Sequence, residues 1–134
     1  MTASELFAKT KSWVVIGVST NPEKYGYKIF KHLKSLGHKV YGISDRHESL
    51  DGVKLYSSII ELPGTPDTAV FVINPEIGID YITDCAGGGI EYLWFQPGAS
   101  DDEILNSASY EGLEYVLGCV LEESEKANQA ALSI

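Results

Sequence analysis

Residues 17–26 combine the residue types that hold a phosphate group between a strand and a helix. The glycine at position 17 lets the chain turn sharply, and the free N–H groups of a helix that starts just after it favour an anion. The glycine at position 26 has no Cβ and permits close packing of that helix. The spacing matches neither G-x-G-x-x-G nor the Walker pattern, so an ordinary strand–helix turn is the alternative. The predicted phosphate-binding residues are Gly17, Val18, Ser19, Thr20, Asn21, Lys24, Tyr25 and Gly26.

A second polar segment, formed by Ser44, Asp45 and Arg46, suits the adenosine part of a nucleotide. In a dinucleotide-binding protein an acidic residue at this point binds the ribose hydroxyls, and Asp45 could do so. Arg46 can instead pair with a ribose phosphate through two parallel hydrogen bonds. The alternative is a solvated polar turn, and we expect the neighbouring His47 to be a surface residue.

Two further segments follow later apolar runs and complete the candidate site. The first offers a flat apolar surface that could pack against an adenine ring or a pantetheine arm. The second offers a side-chain amide and a glycine that lets a ligand approach the backbone closely. In both cases a plain turn at the end of a strand is the alternative. The residues assigned here are Asn74, Pro75, Ile77, Gln96, Pro97 and Gly98.

Short apolar runs alternate with helical patterns along the chain, which is typical of a parallel sheet covered by helices on both faces. Strands buried on both faces read as continuous apolar runs. The predicted strands cover residues 13–19, 39–44, 68–74, 92–96 and 113–117, with a short edge strand at 53–56. The predicted helices cover residues 24–36, 58–62, 76–86 and 100–110.

The ends of several helices carry their own signals. Capping boxes are predicted at Thr2–Glu5, Ser58–Glu61 and Ser100–Glu103. The glycines at 87–89 follow a helical pattern and precede a strand, so they indicate a helix stop and not a phosphate loop. Residues 1–11 form an N-terminal helix or arm, and residues 122–134 form either a polar helix or a loose tail.

These elements predict an α/β fold with a three-layer, Rossmann-like, doubly wound parallel sheet of about five strands. The length of 134 residues agrees with a single domain over residues 1–134. Ligands of such sheets bind at the carboxyl ends of the strands, where the strand order reverses. We therefore expect the four segments described above to meet at that place.

Composition restricts the class of partner. The formal net charge is −9, which argues against nonspecific binding to nucleic acid or to an anionic membrane. Residues 1–54 nevertheless hold nine of the ten basic residues and five acidic ones, so an anionic ligand belongs in that half. No apolar run is long enough for a signal peptide or a membrane span, and a cytoplasmic protein is expected.

The two cysteines, Cys85 and Cys119, are too few for a disulfide framework and lack zinc-site spacing. Cys119 follows the last predicted strand, where a small buried residue is expected, although a thiol beside a ligand would also fit. We predict no metal site and no catalytic residue.

The run VVIGVSTNPEKYGYKIFKHLKSLGHKVYGIS resembles the opening of the small single-domain CoA-binding proteins, which are related to the CoA-binding domain of succinyl-CoA synthetase alpha subunits. The resemblance continues through GVKLYSS, the strand at 68–74 and the LWFQPG stretch, and covers about residues 12–122. It implies that the CoA diphosphate lies on residues 17–21 and the following helix, and that the adenosine end lies near residues 44–46. Residues 74–75 and 96–98 would line the rest of the groove.

We expect a protein that binds a small nucleotide ligand, coenzyme A or an acyl-CoA, without catalysis of its own. In related ligases a phosphorylated histidine on a separate domain takes part in the reaction, whereas His32 and His38 lie here on or just after the first long helix. The alternative is an NAD(P)-binding oxidoreductase or redox-sensing domain, which Asp45 would favour. A receiver-type phosphorylation module would need an acceptor aspartate where the chain has Asn74.

Overall fold

The computed structural model describes residues 1–132, in which seven strands occur. In chain order the strands are β1 (Ser12–Ile16), β2 (Lys39–Ile43), β3 (Ser49–Leu50), β4 (Val53–Lys54), β5 (Thr68–Phe71), β6 (Tyr92–Phe95) and β7 (Glu114–Leu117). Five of them form one parallel sheet in the order β2-β1-β5-β6-β7, and β3 pairs with β4 in a small antiparallel hairpin. The strand order of the sheet reverses direction between β1 and β5.

Helices cover both faces of the sheet. They are α1 (Ala3–Lys9), α2 (Tyr25–Ser35), α3 (Pro75–Gly78), α4 (Ile82–Gly87), α5 (Asp102–Tyr110) and α6 (Val120–Leu132), with a 3₁₀ turn at Ile79–Tyr81. Residues of α1, α2 and α6 pack in one apolar cluster, while residues of α4 and α5 pack in the other. The predicted three-layer, Rossmann-like arrangement is therefore confirmed.

Aromatic side chains fill both halves of the core. On the α2 side, the rings of Trp13 and Trp94 lie 5.9 Å apart, and both residues are fully buried. On the other side, the rings of Phe71 and Phe95 lie 4.9 Å apart on neighbouring strands. Successive strand residues point to opposite faces and both faces are covered, which explains the continuous apolar runs in the sequence.

Two of the predicted strands extend too far. β1 ends at Ile16 and not at residue 19, and β5 ends at Phe71 and not at residue 74. The apolar composition continues past both ends, but the backbone turns away, at Gly17 with a φ of 111°. The extra apolar residues line the site that these turns create.

Three predicted elements are wrong or need correction. Residues 58–62 form a turn and not a helix, and Glu61 accepts hydrogen bonds from the hydroxyls of Ser57 and Ser58 in place of a capping box. The predicted edge strand at 53–56 is divided between β4 and a single parallel bridge from Tyr56 to Ile43. The predicted helix at 76–86 is divided into α3, the 3₁₀ turn and α4.

Side-chain caps mark the starts of α1 and α5, and a glycine follows the end of α4. The capping box of Thr2 and Glu5 is confirmed, because each side chain bonds the backbone N–H of the other residue. The cap of α5 is Asp101 and not Ser100: its Oδ1 accepts from the N–H of Ile104 at 2.9 Å. α4 ends at Gly87 with Gly88 as its cap, which confirms the predicted helix stop.

The C-terminal segment is a helix. α6 begins at Val120, two residues before the predicted segment 122–134, and continues to Leu132. Residues 133 and 134 of that predicted segment lie outside the described residues. Within residues 1–132, no helix combines the length and the apolar character that crossing a lipid bilayer requires.

Candidate functional site

A cleft of about 740 Å³ opens at the carboxyl ends of the sheet strands. It receives residues from the segments after β1, β2, β5, β6 and β7, and these include the two segments that flank the reversal of strand order, after β1 and β5. This is where open parallel sheets bind ligands. The four segments singled out in the sequence all contribute to its lining.

The β1–α2 loop begins with a turn that only glycine accommodates. Gly17 has a φ of 111°, and a Cβ there would lie 2.2 Å from Cγ2 of Ile73 and 2.9 Å from the carbonyl O of Val72. The N–H groups of Gly17 and Val18 both donate to the carbonyl O of Ile43, at 3.1 and 2.9 Å. The loop is thus tied to the end of β2 while its later residues remain at the cleft.

Gly26 brings the start of α2 against this loop. A Cβ on Gly26 would lie 2.0 Å from the carbonyl O of Gly17 and 3.3 Å from the N of Ser19. Real Cβ atoms do not approach backbone oxygens so closely, so this approach requires glycine. The first turn of α2 therefore lies directly behind the loop that lines the cleft.

The N-terminus of α2 has no side-chain cap. Its N-cap residue is Lys24, which makes no capping hydrogen bond, whereas α1 and α5 are capped by Thr2 and Asp101. The N–H groups in the first turn of a helix have no intrahelical acceptor and carry partial positive charge. Lys24 and Tyr25 both line the cleft, so the uncapped end is at the site.

Two polar side chains of the β1–α2 loop accept hydrogen bonds from the backbone of the same loop. The hydroxyl of Ser19 accepts from the N–H of Asn21, and Oδ1 of Asn21 accepts from the N–H of Glu23, each at 3.0 Å. These bonds shape the turn that leads to α2. Ser19 lines the cleft, whereas Thr20 and Asn21 lie outside its lining, as does Pro75.

The segment after β2 is shaped by one buried serine. The hydroxyl O of Ser44 accepts from the N–H groups of Arg46 and His47, at 3.3 and 3.1 Å. The resulting turn leaves Asp45 and Arg46 exposed at the cleft. His47, which we expected at the surface, is half-buried, lines the cleft and lies 3.4 Å from the hydroxyl of Thr20.

The segments after β5 and β6 provide an apolar edge and an amide. Asn74 caps α3 by accepting from the N–H of Glu76 at 2.9 Å, and Ile77 in that helix is 50% exposed at the cleft. Gln96 is almost fully buried, and its Oε1 accepts from the N–H of Val120 at 2.7 Å. Its amide NH₂ is the group left for a ligand.

Fourteen of the seventeen predicted site residues line the cleft, but eight further residues also do so. Several of the eight lie at or just after the ends of strands, or in helical segments that match no phosphate-binding pattern. Cys119 is half-buried at the cleft and not a core residue. The eight are Ile43, His47, Val72, Ile73, Tyr81, Ala99, Cys119 and Glu122.

Tyr81 reaches the cleft because the predicted helix at 76–86 is broken at the 3₁₀ turn. Burial raises the pKa of its phenol, and the nearby carboxylates of Asp45 and Asp80 raise it further. The side chain is therefore a neutral hydrogen-bond donor at neutral pH. Tyr81 and Asp45 both line the cleft, so the segments after β2 and β5 border the same cavity.

Positive charge is concentrated at one end of the cleft. Among the described residues that line it, the lysine and the arginine are Lys24 and Arg46, from the loops after β1 and β2. Glu122, in the first turn of α6, also lines the cleft, near the hydrogen bond between Gln96 and Val120. Within residues 1–132, no group of three or more His, Cys, Asp or Glu side chains is arranged to hold a metal ion.

A model of the CoA binding domain family matches residues 11–125. The chain belongs to this family. Membership supports coenzyme A as the ligand of the chain, whereas neither the family match nor the relatives support the NAD(P) alternative.

Curated relatives carry the same kind of domain within longer proteins. The chain is 36% identical over 88 residues to the alpha subunit of ADP-forming acetate–CoA ligase II from Pyrococcus furiosus, a match that covers 65% of this chain and 19% of that subunit. It is 31% identical over 81 residues to ADP-forming acetate–CoA ligase from Methanocaldococcus jannaschii, covering 60% of this chain and 12% of the ligase. The CoA-binding chain thus spans less than a fifth of these relatives.

Solved structures of similar size share the fold. A conserved hypothetical protein from Pyrococcus furiosus is 36% identical, with a TM-score of 0.77 over 84% of this chain and 98% of that one. A hypothetical protein from Pyrococcus horikoshii is 25% identical, with a TM-score of 0.85 over 91% of this chain and 87% of that one. The agreement extends over nearly the whole of both chains.

Proposed function

We propose that the chain binds coenzyme A or an acyl-CoA in the cleft, with the diphosphate on residues 17–21 and the first turn of α2, and without catalysis of its own. The observation that carries this proposal is the contact between Gly26 and Gly17. That contact presents the uncapped N-terminus of α2 to the loop, where it favours a phosphate.

The rest of the ligand follows from the order of the strands. The adenosine end lies at Ser44, Asp45 and Arg46, beside the loop that takes the diphosphate. The pantetheine arm runs in the other direction, over the segments that follow β5 and β6. Its contacts are with Asn74, Ile77, Gln96, Pro97 and Gly98, which line the cleft there.

Charge supports this orientation. CoA carries a diphosphate and a 3′-phosphate, and the cations at the cleft, Lys24 and Arg46, both lie at the end assigned to them. Arg46 is exposed and close to the adenosine end, so it is the natural partner of the 3′-phosphate.

Two of the three histidines have structural partners away from the cleft, and the third, His47, lines it. His32 is hydrogen-bonded to the hydroxyl of Ser124 at 2.7 Å, and His38 accepts from the indole N–H of Trp13 at 2.8 Å. Neither lines the cleft. The ligase activity in the names of the relatives belongs to proteins of which this chain matches less than a fifth.

Calorimetric titration with CoA, dephospho-CoA and NAD(H) tests the proposal. We expect CoA to bind and Arg46→Ala to weaken CoA by about five- to tenfold, because it removes a charge-assisted contact. Arg46→Ala should lower the affinity for dephospho-CoA only slightly, because that ligand lacks the 3′-phosphate. Lys34→Ala is the matched control, since it removes one positive charge from an exposed position of α2 outside the cleft.

Three results would contradict parts of the proposal. Binding of NAD(H) without binding of CoA would overturn the assigned ligand. If Arg46→Ala lowers the affinities for CoA and for dephospho-CoA equally, Arg46 does not bind the 3′-phosphate. Formation of an acyl-CoA from acid, CoA and nucleoside triphosphate by the purified chain would overturn the absence of catalysis.

A further inference from the structure

The far end of the cleft is fixed by two hydrogen bonds that hold the start of α6. The buried Oε1 of Gln96 accepts from the N–H of Val120 at 2.7 Å, and the indole N–H of Trp94 donates to the carbonyl O of Gly118 at 2.9 Å. Both partners on the sheet side belong to β6 or to the residue that follows it. The first turn of α6 therefore has a defined position beside the cleft.

Glu122 lies in that turn and lines the cleft. Its neighbour Glu123 is paired with Lys126, whereas no lysine, arginine or histidine among residues 1–132 forms an ion pair with Glu122. The described lining residues at the β6 and β7 end include neither lysine nor arginine. Glu122 therefore has no ion-pair partner among the described residues and borders this part of the cleft.

The strand order of the sheet indicates which part of the ligand lies near Glu122. The cationic loops follow β2 and β1, whereas the start of α6 is held by Gln96 at the end of β6, two strands away from β1. This inference rests on the proposed function, in which the phosphates occupy the cationic end. The pantetheine arm then carries the thiol, and any acyl group attached to it, towards Glu122.

We propose that Glu122 makes the cleft select acyl-CoAs whose acyl group is uncharged over those whose acyl group ends in a carboxylate. A second carboxylate at this end would meet a like charge with no cation to offset it. Glu122 is exposed, so the repulsion acts through a water-like dielectric. Two unit charges about 6 Å apart then change the binding constant by about threefold, and salt weakens the effect.

The test compares propionyl-CoA with malonyl-CoA, which have acyl groups of the same carbon count and differ by the terminal carboxylate. Affinities are measured by calorimetry at low and at high salt. We expect the wild-type chain to prefer propionyl-CoA by about threefold at low salt and less at high salt. Glu122→Gln should remove the preference. Glu125→Gln is the matched control, because it removes the same charge from an exposed position of α6 outside the cleft.

The possible outcomes separate the two proposals. If CoA, propionyl-CoA and malonyl-CoA bind with one affinity, the role of Glu122 is overturned and the proposed function stands. The same conclusion holds if Glu122→Gln and Glu125→Gln change the ratio of propionyl-CoA to malonyl-CoA affinity equally. If none of the three ligands binds, the proposed function fails and the inference fails with it. A ratio that disappears in Glu122→Gln alone supports both.

Discussion

Replacing Gly26 by alanine tests the contact that holds α2 against the β1–α2 loop. The added methyl carbon would lie 2.0 Å from the carbonyl O of Gly17, about 1 Å closer than such atoms tolerate. The oxygen cannot easily move, because Gly17 has a φ of 111° and its N–H is bonded to the carbonyl O of Ile43. The start of α2 must therefore retreat from the loop by about 1 Å.

The cost can be worked from this displacement. Forcing an extra carbon into a packed contact costs about 1–3 kcal/mol, and alanine recovers up to about 1 kcal/mol of helix propensity. A net loss of about 1–2 kcal/mol lowers the melting temperature of a chain of this size by roughly 4–10 °C. Because the retreating N–H groups are those assigned to the diphosphate, we expect CoA affinity to fall by about tenfold or more.

Thermal melts with and without CoA, together with calorimetric titration, measure both effects. The control is Gly87→Ala at the end of α4, where a Cβ would meet nothing within 4 Å and φ is not positive. We expect that variant to melt at or slightly above the wild-type temperature and to bind CoA normally. Wild-type stability and CoA affinity in Gly26→Ala would refute the reasoning, since the contact would then constrain neither the helix nor the ligand.

Two pH effects follow from buried groups. Burial raises the pKa of the Cys85 thiol to about 12 from 9.0. The contribution of the protonated thiol to stability is therefore present below pH 9 and is lost as pH rises towards 12. Between about pH 8 and pH 10.5, urea unfolding should show that wild type loses more stability than Cys85→Ala. Burial lowers the pKa of His38 below 6.5, so its contribution is present above pH 6.5 and is lost on acidification. His38→Gln keeps an acceptor for Trp13 but does not titrate, and equal losses for this variant and wild type between about pH 7.5 and pH 5.5 would contradict the assignment.

The order of elements could be predicted because strands buried on both faces have an unbroken apolar composition. Their ends could not, because residues such as Val18 and Val72 are apolar for a different reason: they line the cleft after the backbone has left the sheet. The wrong helix at 58–62 shows the same limit. Its serines and glutamate suited a capping box, but the segment lies between the bridge at Tyr56 and Pro63, and the glutamate bonds side chains instead of the backbone.

The site was predicted wherever we applied the rule that ligands of parallel sheets bind at the carboxyl ends of the strands. The rule located the segments after the first four sheet strands, and fourteen of the seventeen residues predicted there line the cleft. Glu122 was missed, although it follows the fifth sheet strand and the same rule would have indicated it. Tyr81 carried no such signal, because its position depends on the break between α3 and α4, which the helical pattern of the sequence does not reveal.

The net charge of −9 and the proposed polyanionic ligand are compatible only if affinity comes from directed local groups. The long-range field of so acidic a chain opposes an anion, so attraction must begin close to the cleft, at Lys24, Arg46 and the first turn of α2. A helix N-terminus acts over about one turn, so its contribution depends on where Gly26 allows it to lie. A change in that position should therefore cost more affinity than the loss of any one exposed charge.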